Sequence, residues 1–241
     1  MKKSVYIIIL LFGIIIVMGQ NTGSNKSAMT DSITAKEIVE RMGNTYTSCQ
    51  TYRDSGIVTE LIIFGGNEDT REKPFCTVFI RPDRYRFEYK EMKRNNKEYR
   101  YIIWRNGKDV QTWWDVKPGI KKLQSLEFAL AGATGVSGGS AYTIPTMLVP
   151  QEIRGRRLTD MTEMKRIEDV KINKVDCFCI QGLYAGNPRT LWICKKTFLV
   201  RRIYEEGKFD NVSTQSTTTY NPYINREITE KMLKFDPPNE K

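Results

Sequence analysis

The chain has no histidine among its 241 residues, and that absence removes a large part of enzyme chemistry. Without an imidazole there is no Ser-His or Cys-His nucleophile pair, no histidine base and no histidine-based metal site. A phosphate-binding glycine loop is missing as well. The glycines between Gly132 and Gly139 are not followed by Lys-Ser or Lys-Thr, and no dinucleotide-type glycine pattern is present. Two carboxylates suffice for glycoside hydrolysis, and Glu127, Asp160, Glu163, Glu168 and Asp169 are available, but no setting marks any two of them as a pair. The sequence therefore reads as non-enzymatic, with no cofactor and no metal.

Cysteine is absent where an N-terminal lipid anchor would need it. Lys2 and Lys3 precede an apolar run from Val5 to Met18, broken by Gly13, and the first cysteine is Cys49. The run falls just short of the roughly 18 to 20 residues of a spanning helix. With Val17-Met18-Gly19 as a small-residue cleavage site, residues 1–19 read as a secretory signal peptide, in preference to a membrane anchor. Residues 20–31 are small and polar, without periodicity, and read as a disordered leader. Residues 32–241 are expected to form a single β domain in the periplasm or cell envelope.

Concentrated charge is also lacking. The formal net charge is +10, or +8 without Lys2 and Lys3, but it is spread over doublets such as Lys93-Arg94, Lys121-Lys122, Lys195-Lys196 and Arg201-Arg202. Dispersed charge does not form a nucleic-acid stripe; it suits solubility, or anionic lipid headgroups. The five cysteines are an odd number, so at least one is unpaired within the chain. Cys177 and Cys179 share one face of an expected strand. If the chain reverses near Gly186-Asn187, Cys194 falls roughly opposite Cys179, where a cross-strand disulfide is conceivable. Buried thiols are favoured over a metal site, because zinc would want further ligands at motif spacing.

What is present is β-strand texture. Thr34-Ala35-Lys36-Glu37 has the form of a capping box, and Ile38, Val39, Met42 and Tyr46 follow at helical spacing. From Ser55 onward, β-branched and aromatic runs predict strands at 56–64, 75–81, 84–91, 98–105, 109–116, 162–172, 175–182, 189–194, 199–206 and 212–220. Gly65-Gly66-Asn67, Arg81-Pro82-Asp83, Asn106-Gly107 and Gly186-Asn187-Pro188 are the expected reversals, so strands adjacent in sequence should pair antiparallel. Tyr85, Phe87 and Tyr89 alternate with Arg84, Arg86, Glu88 and Lys90, giving one apolar face and one wet face. Residues 121–131 read as a helix, 132–140 as a Gly/Ser-rich neck and 142–149 as a second apolar segment. A curled sheet needs its concave side closed, and this insertion is the expected plug.

Aromatic residues on strands exceed what a single layer of strands can easily bury. A lined cavity is the natural use of the surplus. Several motifs then occur in the order found in one family: Tyr46 with Tyr52-Arg53-Asp54-Ser55-Gly56; Arg81-Pro82-Asp83-Arg84-Tyr85-Arg86-Phe87; Asn106-Gly107-Lys108 with Trp113-Trp114; Gly138 to Pro150. In the C-terminal half come Cys177 to Gly182, Thr190-Leu191-Trp192-Ile193, Leu199-Val200-Arg201-Arg202-Ile203 and Phe235-Asp236-Pro237-Pro238. Together they resemble the lipoprotein-carrier superfamily typified by LolA and LolB, and the exported outer-membrane lipoprotein-sorting proteins.

The resemblance implies a fold that is mainly β with a few helices (α+β): a strongly curved antiparallel sheet forming an incomplete barrel around a short helical plug. It implies a carrier or binding protein for an amphiphile, a lipid or lipoprotein acyl chain, with an envelope membrane protein as a further partner. The alternative is an envelope sensor or protein-binding module of the same fold without cargo. In LolA-type carriers the arginine of the Arg-Pro turn bonds the lid; the matching position is Arg81. The ligand-contacting residues expected are Phe79, Arg81, Tyr85, Phe87, Tyr89, Trp104, Trp113, Trp114, Met147 and Leu148, in a monomer that does not bind nucleic acid.

Overall fold

The structure, a computed structural model, describes residues 33–92 and 98–238. The expected signal peptide, the leader and the Lys93-Arg94 doublet lie outside the described residues. Helix α1, Ala35–Ser48, opens the fold, with both arms of its capping box in place. Glu37 N–H donates to Thr34 Oγ1 at 3.2 Å, and Thr34 N–H donates to Glu37 Oε2 at 2.9 Å. These bonds satisfy two backbone N–H groups at the start of the helix that have no backbone partner there.

Six strands follow: β1 (Thr51–Phe64), β2 (Asn67–Ile80), β3 (Arg84–Met92), β4 (Glu98–Asn106), β5 (Asp109–Trp114) and β6 (Lys117–Leu123). After the helices α2 (Leu126–Thr134), α3 (Ser140–Thr143) and α4 (Pro145–Leu148) and a short 3-10 turn at Leu158–Asp160 come six more. These are β7 (Thr162–Ile172), β8 (Val175–Tyr184), β9 (Asn187–Cys194), β10 (Val200–Phe209), β11 (Val212–Tyr220) and β12 (Tyr223–Ile224). Helix α5 is Glu230–Leu233. All twelve strands belong to one antiparallel, curved and unclosed sheet in the order β6-β5-β4-β3-β2-β1-β11-β10-β9-β8-β7, with β12 beside β1. The α+β class and the incomplete barrel are therefore as expected.

The topology places the plug. Two meanders run outward from the central β1–β11 pair, so the edges β6 and β7 are consecutive in sequence yet farthest apart in the sheet. The connection between them contributes Leu126, Leu130, Ile144, Met147, Leu148 and Ile153 to the same buried cluster as the inner-face residues of both meanders. Helix α1 joins this cluster through Ile38, Val39, Met42 and Tyr46. Fully burying each large aliphatic side chain here contributes about 1.5–3 kcal/mol.

Three local expectations are corrected. The segment from Lys121 is not helical at its start: Lys117–Leu123 pairs with β5 as an edge strand, and the helix begins at Leu126 behind the Ser125 N-cap, whose Oγ accepts from Phe128 N–H. Strand β2 starts at Asn67 rather than 75. Its first residues are polar on both faces and join the sheet through the ladder to β1, so no alternation announces them. The β8–β9 reversal is the two-residue turn Ala185-Gly186, with φ of 54° and 82° as a tight hairpin requires. Cys194 consequently lies opposite Cys177, and Cys179 opposite Trp192.

Candidate functional site

The inner face carries a continuous row of rings. Tyr220 meets Phe75 at 5.4 Å between centroids, Phe75 meets Phe87 at 6.3 Å, and Phe87 meets Tyr89 at 6.4 Å. Tyr89 then meets Tyr101 at 5.8 Å and Tyr101 meets Trp114 at 6.2 Å. The row crosses β11, β2, β3, β4 and β5, although β1 stands between β11 and β2. Gly56 of β1 is the residue paired with both Tyr220 and Phe75. A Cβ there would sit 2.2 Å from Thr219 O and 2.4 Å from the Phe75 ring. The missing side chain is thus what lets the rings meet across β1.

Of the expected ligand-contacting residues, Phe79, Tyr85, Phe87 and Tyr89 are inner-face and fully buried, as are Met147 and Leu148 of α4; Trp114 is inner-face and half-buried. Trp104 and Trp113 are not on that face. Register pairs Trp113 with Ile102 on the outer side, where Phe235 of the C-terminal segment covers them at 5.1 Å from Trp104 and 5.4 Å from Trp113. The Arg100 guanidinium lies over both Phe235 and Trp113, and Arg86 donates to Lys234 O at 2.9 Å. The expectation that all three hairpin tryptophans share one hollow is corrected: adjacent residues of a strand face opposite ways, and the outer aromatics are sealed by the chain's own end.

Arg81 ties the cover to the wall. Its Nε donates to Cys49 O at 3.0 Å, and its Nη2 donates to Leu148 O at 2.9 Å and Tyr46 O at 3.4 Å. The guanidinium lies over the Phe79 ring at 5.2 Å. One side chain therefore satisfies terminal carbonyls of both α1 and α4, groups that lack intrahelical partners. Thr47 Oγ1 adds a bond to Met147 O at 3.4 Å, Tyr184 Oη donates to Arg156 O at 2.9 Å, and Arg105 pairs with Glu152. Two cavities of about 400 Å³ flank the cover. One is bounded by Gly43, Thr47, Met147 and Arg157, the other by Glu60, Gly138, Arg189 and Ser216.

Beneath the cover sits a polar group that composition alone did not single out. Asp54 points inward from β1, accepting from Tyr52 Oη at 2.6 Å and from Thr77 N–H at 2.8 Å. Burial pushes its carboxyl up to about 6 in spite of those bonds. The nearby Tyr85 hydroxyl is buried without a hydrogen-bond partner among the described residues. Period-2 alternation from Tyr52 would have found Asp54, and from Tyr85 to Tyr89 would have found Phe75 only with the β2–β3 register in hand. Among the described residues no group of three or more Cys, Asp or Glu side chains is placed to hold a metal. The arrangement is an apolar inner face covered by short helices.

No family model and no curated protein matches the chain. Among solved structures it is similar to an outer membrane lipoprotein-sorting protein domain from Vibrio parahaemolyticus (10% identity, 82% of this chain and 95% of that one, TM-score 0.36). It is similar to a LolA superfamily protein from Nitrosomonas europaea (11% identity, 85% and 99%, TM-score 0.31). A chain of the Pseudomonas aeruginosa MucA/MucB complex aligns at 8% identity over 84% of this chain and 61% of that one, TM-score 0.35.

Proposed function

We propose that this chain is a cell-envelope binding protein, without catalytic chemistry of its own, that takes the apolar chain of a lipid or lipoprotein against the ring row of the inner face. The observation that carries the reading is the form of the roof. A wall of six rings is covered by helices of nine, four and four residues and latched through Arg81 to Leu148 O. Such a cover can be exchanged. Lifting α4 uncovers Ile144, Met147 and Leu148, at about 1.5–3 kcal/mol each, whereas a chain of about a dozen methylenes returns about 0.8 kcal/mol per group, on the order of 10 kcal/mol in all. The surplus covers part of the cost of association, and release to an acceptor needs only a better site. Export follows from the reading of residues 1–19, and the expected working form is a monomer.

Native mass spectrometry and lipid extraction of the purified protein test this, together with uptake of a fluorescent fatty acid. Co-purified amphiphile is expected, and Arg81→Gln should change uptake at least several-fold by loosening the latch. A clean apo mass with no uptake by either form would sink the carrier reading. It would leave the second one, an envelope sensor or protein-binding module. Ile144, Met147 and Leu148 favour that alternative, since they already fill the inner face. In that case in-envelope crosslinking from the roof should trap a protein partner.

A further inference from the structure

The outer face of the β8–β9 hairpin collects three cysteines. Cys177 and Cys179 point away from Phe178 and Ile180, which belong to the inner cluster, and Cys194 ends β9. The Ala185-Gly186 turn sets Tyr184 opposite Asn187, and with it Cys177 opposite Cys194. Lys195 N–H donates to Asp176 O at 3.0 Å. In an antiparallel ladder that bond brackets the neighbouring pair, so Cys177 and Cys194 are a non-hydrogen-bonded pair, the kind whose Cα atoms approach to about 4.5 Å. A disulfide closes over Cα separations of about 4.4–6.8 Å.

The other pairings are worse. Cys179 is diagonal to Cys194, at about 7–8 Å. Cys76 on β2 is separated from β9 by β1, β11 and β10, roughly 19 Å at about 4.8 Å per strand. Cys49 follows α1 on the inner side, with its thiol toward Tyr46 O. We propose that Cys177 and Cys194 form a disulfide when the chain folds in the presence of a disulfide oxidant, and that Cys49, Cys76 and Cys179 remain thiols.

The step is thiol–disulfide exchange. One cysteine thiolate attacks the oxidant's S–S bond and releases one thiolate; the second cysteine thiolate then attacks the mixed disulfide and releases the other. Two protein S–H bonds are replaced by one S–S bond, their protons pass to the released thiolates, and the oxidant is reduced by two electrons to two thiols. Cys177 is fully buried and Cys194 is 7% exposed. Burial and the adjacent Cys194 thiol push the Cys177 thiol up to about 11. Exchange therefore accompanies folding and is slow once the reduced chain has closed.

The test is to refold the full chain in oxidised and reduced glutathione, unfold it in denaturant with an alkylating reagent that caps every free thiol, and digest with trypsin without reductant. Peptide 175–189, alkylated once at Cys179, should appear linked to 190–195, lighter by two hydrogen atoms than the sum of the two, with alkyl groups also on Cys49 and Cys76. Cys177 and Cys179 share the first peptide, so the Cys179→Ser variant assigns the link, which it should retain. Alkylation of Cys177 or Cys194 in the oxidised chain once unfolded, a link to another cysteine, or loss of the link in Cys179→Ser would overturn the proposal.

Discussion

At the scale of single residues, the inner face holds charges that decide its response to pH and to substitution. Asp54, buried with a carboxyl pushed up to about 6, binds its proton more tightly folded than unfolded, where an aspartate titrates near about 3.9. Its contribution to stability is therefore fully present below about pH 4 and is lost as pH rises through about 6, a change of about 3 kcal/mol. Urea unfolding followed from about pH 4 to pH 7 should show the wild type losing stability relative to Asp54→Asn. Parallel profiles would refute the assignment. Lys73 is a second case: its side chain is 7% exposed and its ammonium lies 2.6 Å from Glu60 Oε2. Glu60→Gln should destabilise by about 3–5 kcal/mol by stranding a buried cation, whereas Lys73→Met should cost less, because the Glu60 carboxylate it leaves is 20% exposed and reaches water. Equal losses in denaturant midpoint would argue against a buried, paired charge.

Two glycines make opposite predictions from the same change. Gly56→Ala drives a methyl into the Thr219 carbonyl and the Phe75 ring, and should cost at least about 1–3 kcal/mol because backbone cannot yield cheaply. It should also disturb the near-ultraviolet signal of the ring row.

At the scale of elements, the second glycine is Gly132, within α2, where an added Cβ meets nothing within 4 Å. Gly132→Ala should stabilise by about 0.5–1 kcal/mol, through helix propensity and a less free unfolded chain. A melting temperature lowered by this change would show that the roof helix needs its flexibility to pack. Helix α1 and strand β3 were legible in the sequence for local reasons. A capping box and an alternating run are interactions between near neighbours, and the structure places both as read. Strand β6 was not. Lys121 to Ala131 carries good helix formers throughout, and only pairing with β5 draws its first residues into the sheet.

At the scale of the whole molecule, the sheet stays open, so among the described residues β6 and β7 are the unpaired edges. Edge β6 bears exposed Lys117, Pro118, Lys121 and Lys122, devices that discourage another strand from adding. Replacing the three lysines by threonine should leave the melting temperature nearly unchanged while raising self-association in sedimentation velocity. A variant as monodisperse as the parent would mean that the edge is guarded by something else.

The same scale separates what was readable from what was not. Lack of histidine, the capped first helix, the antiparallel meander and the inward Tyr85-Phe87-Tyr89 row were determined by composition and short-range pattern alone. Which tryptophans share a face with that row, that Phe235 seals Trp104 and Trp113 from outside, that Gly56 joins Phe75 to Tyr220 and that Cys177 meets Cys194 were decided only by the tertiary structure. Each depends on strand register and on pairings between residues far apart in the chain. Register is set by turns a single residue can shift, and one shift moves every side chain to the other face.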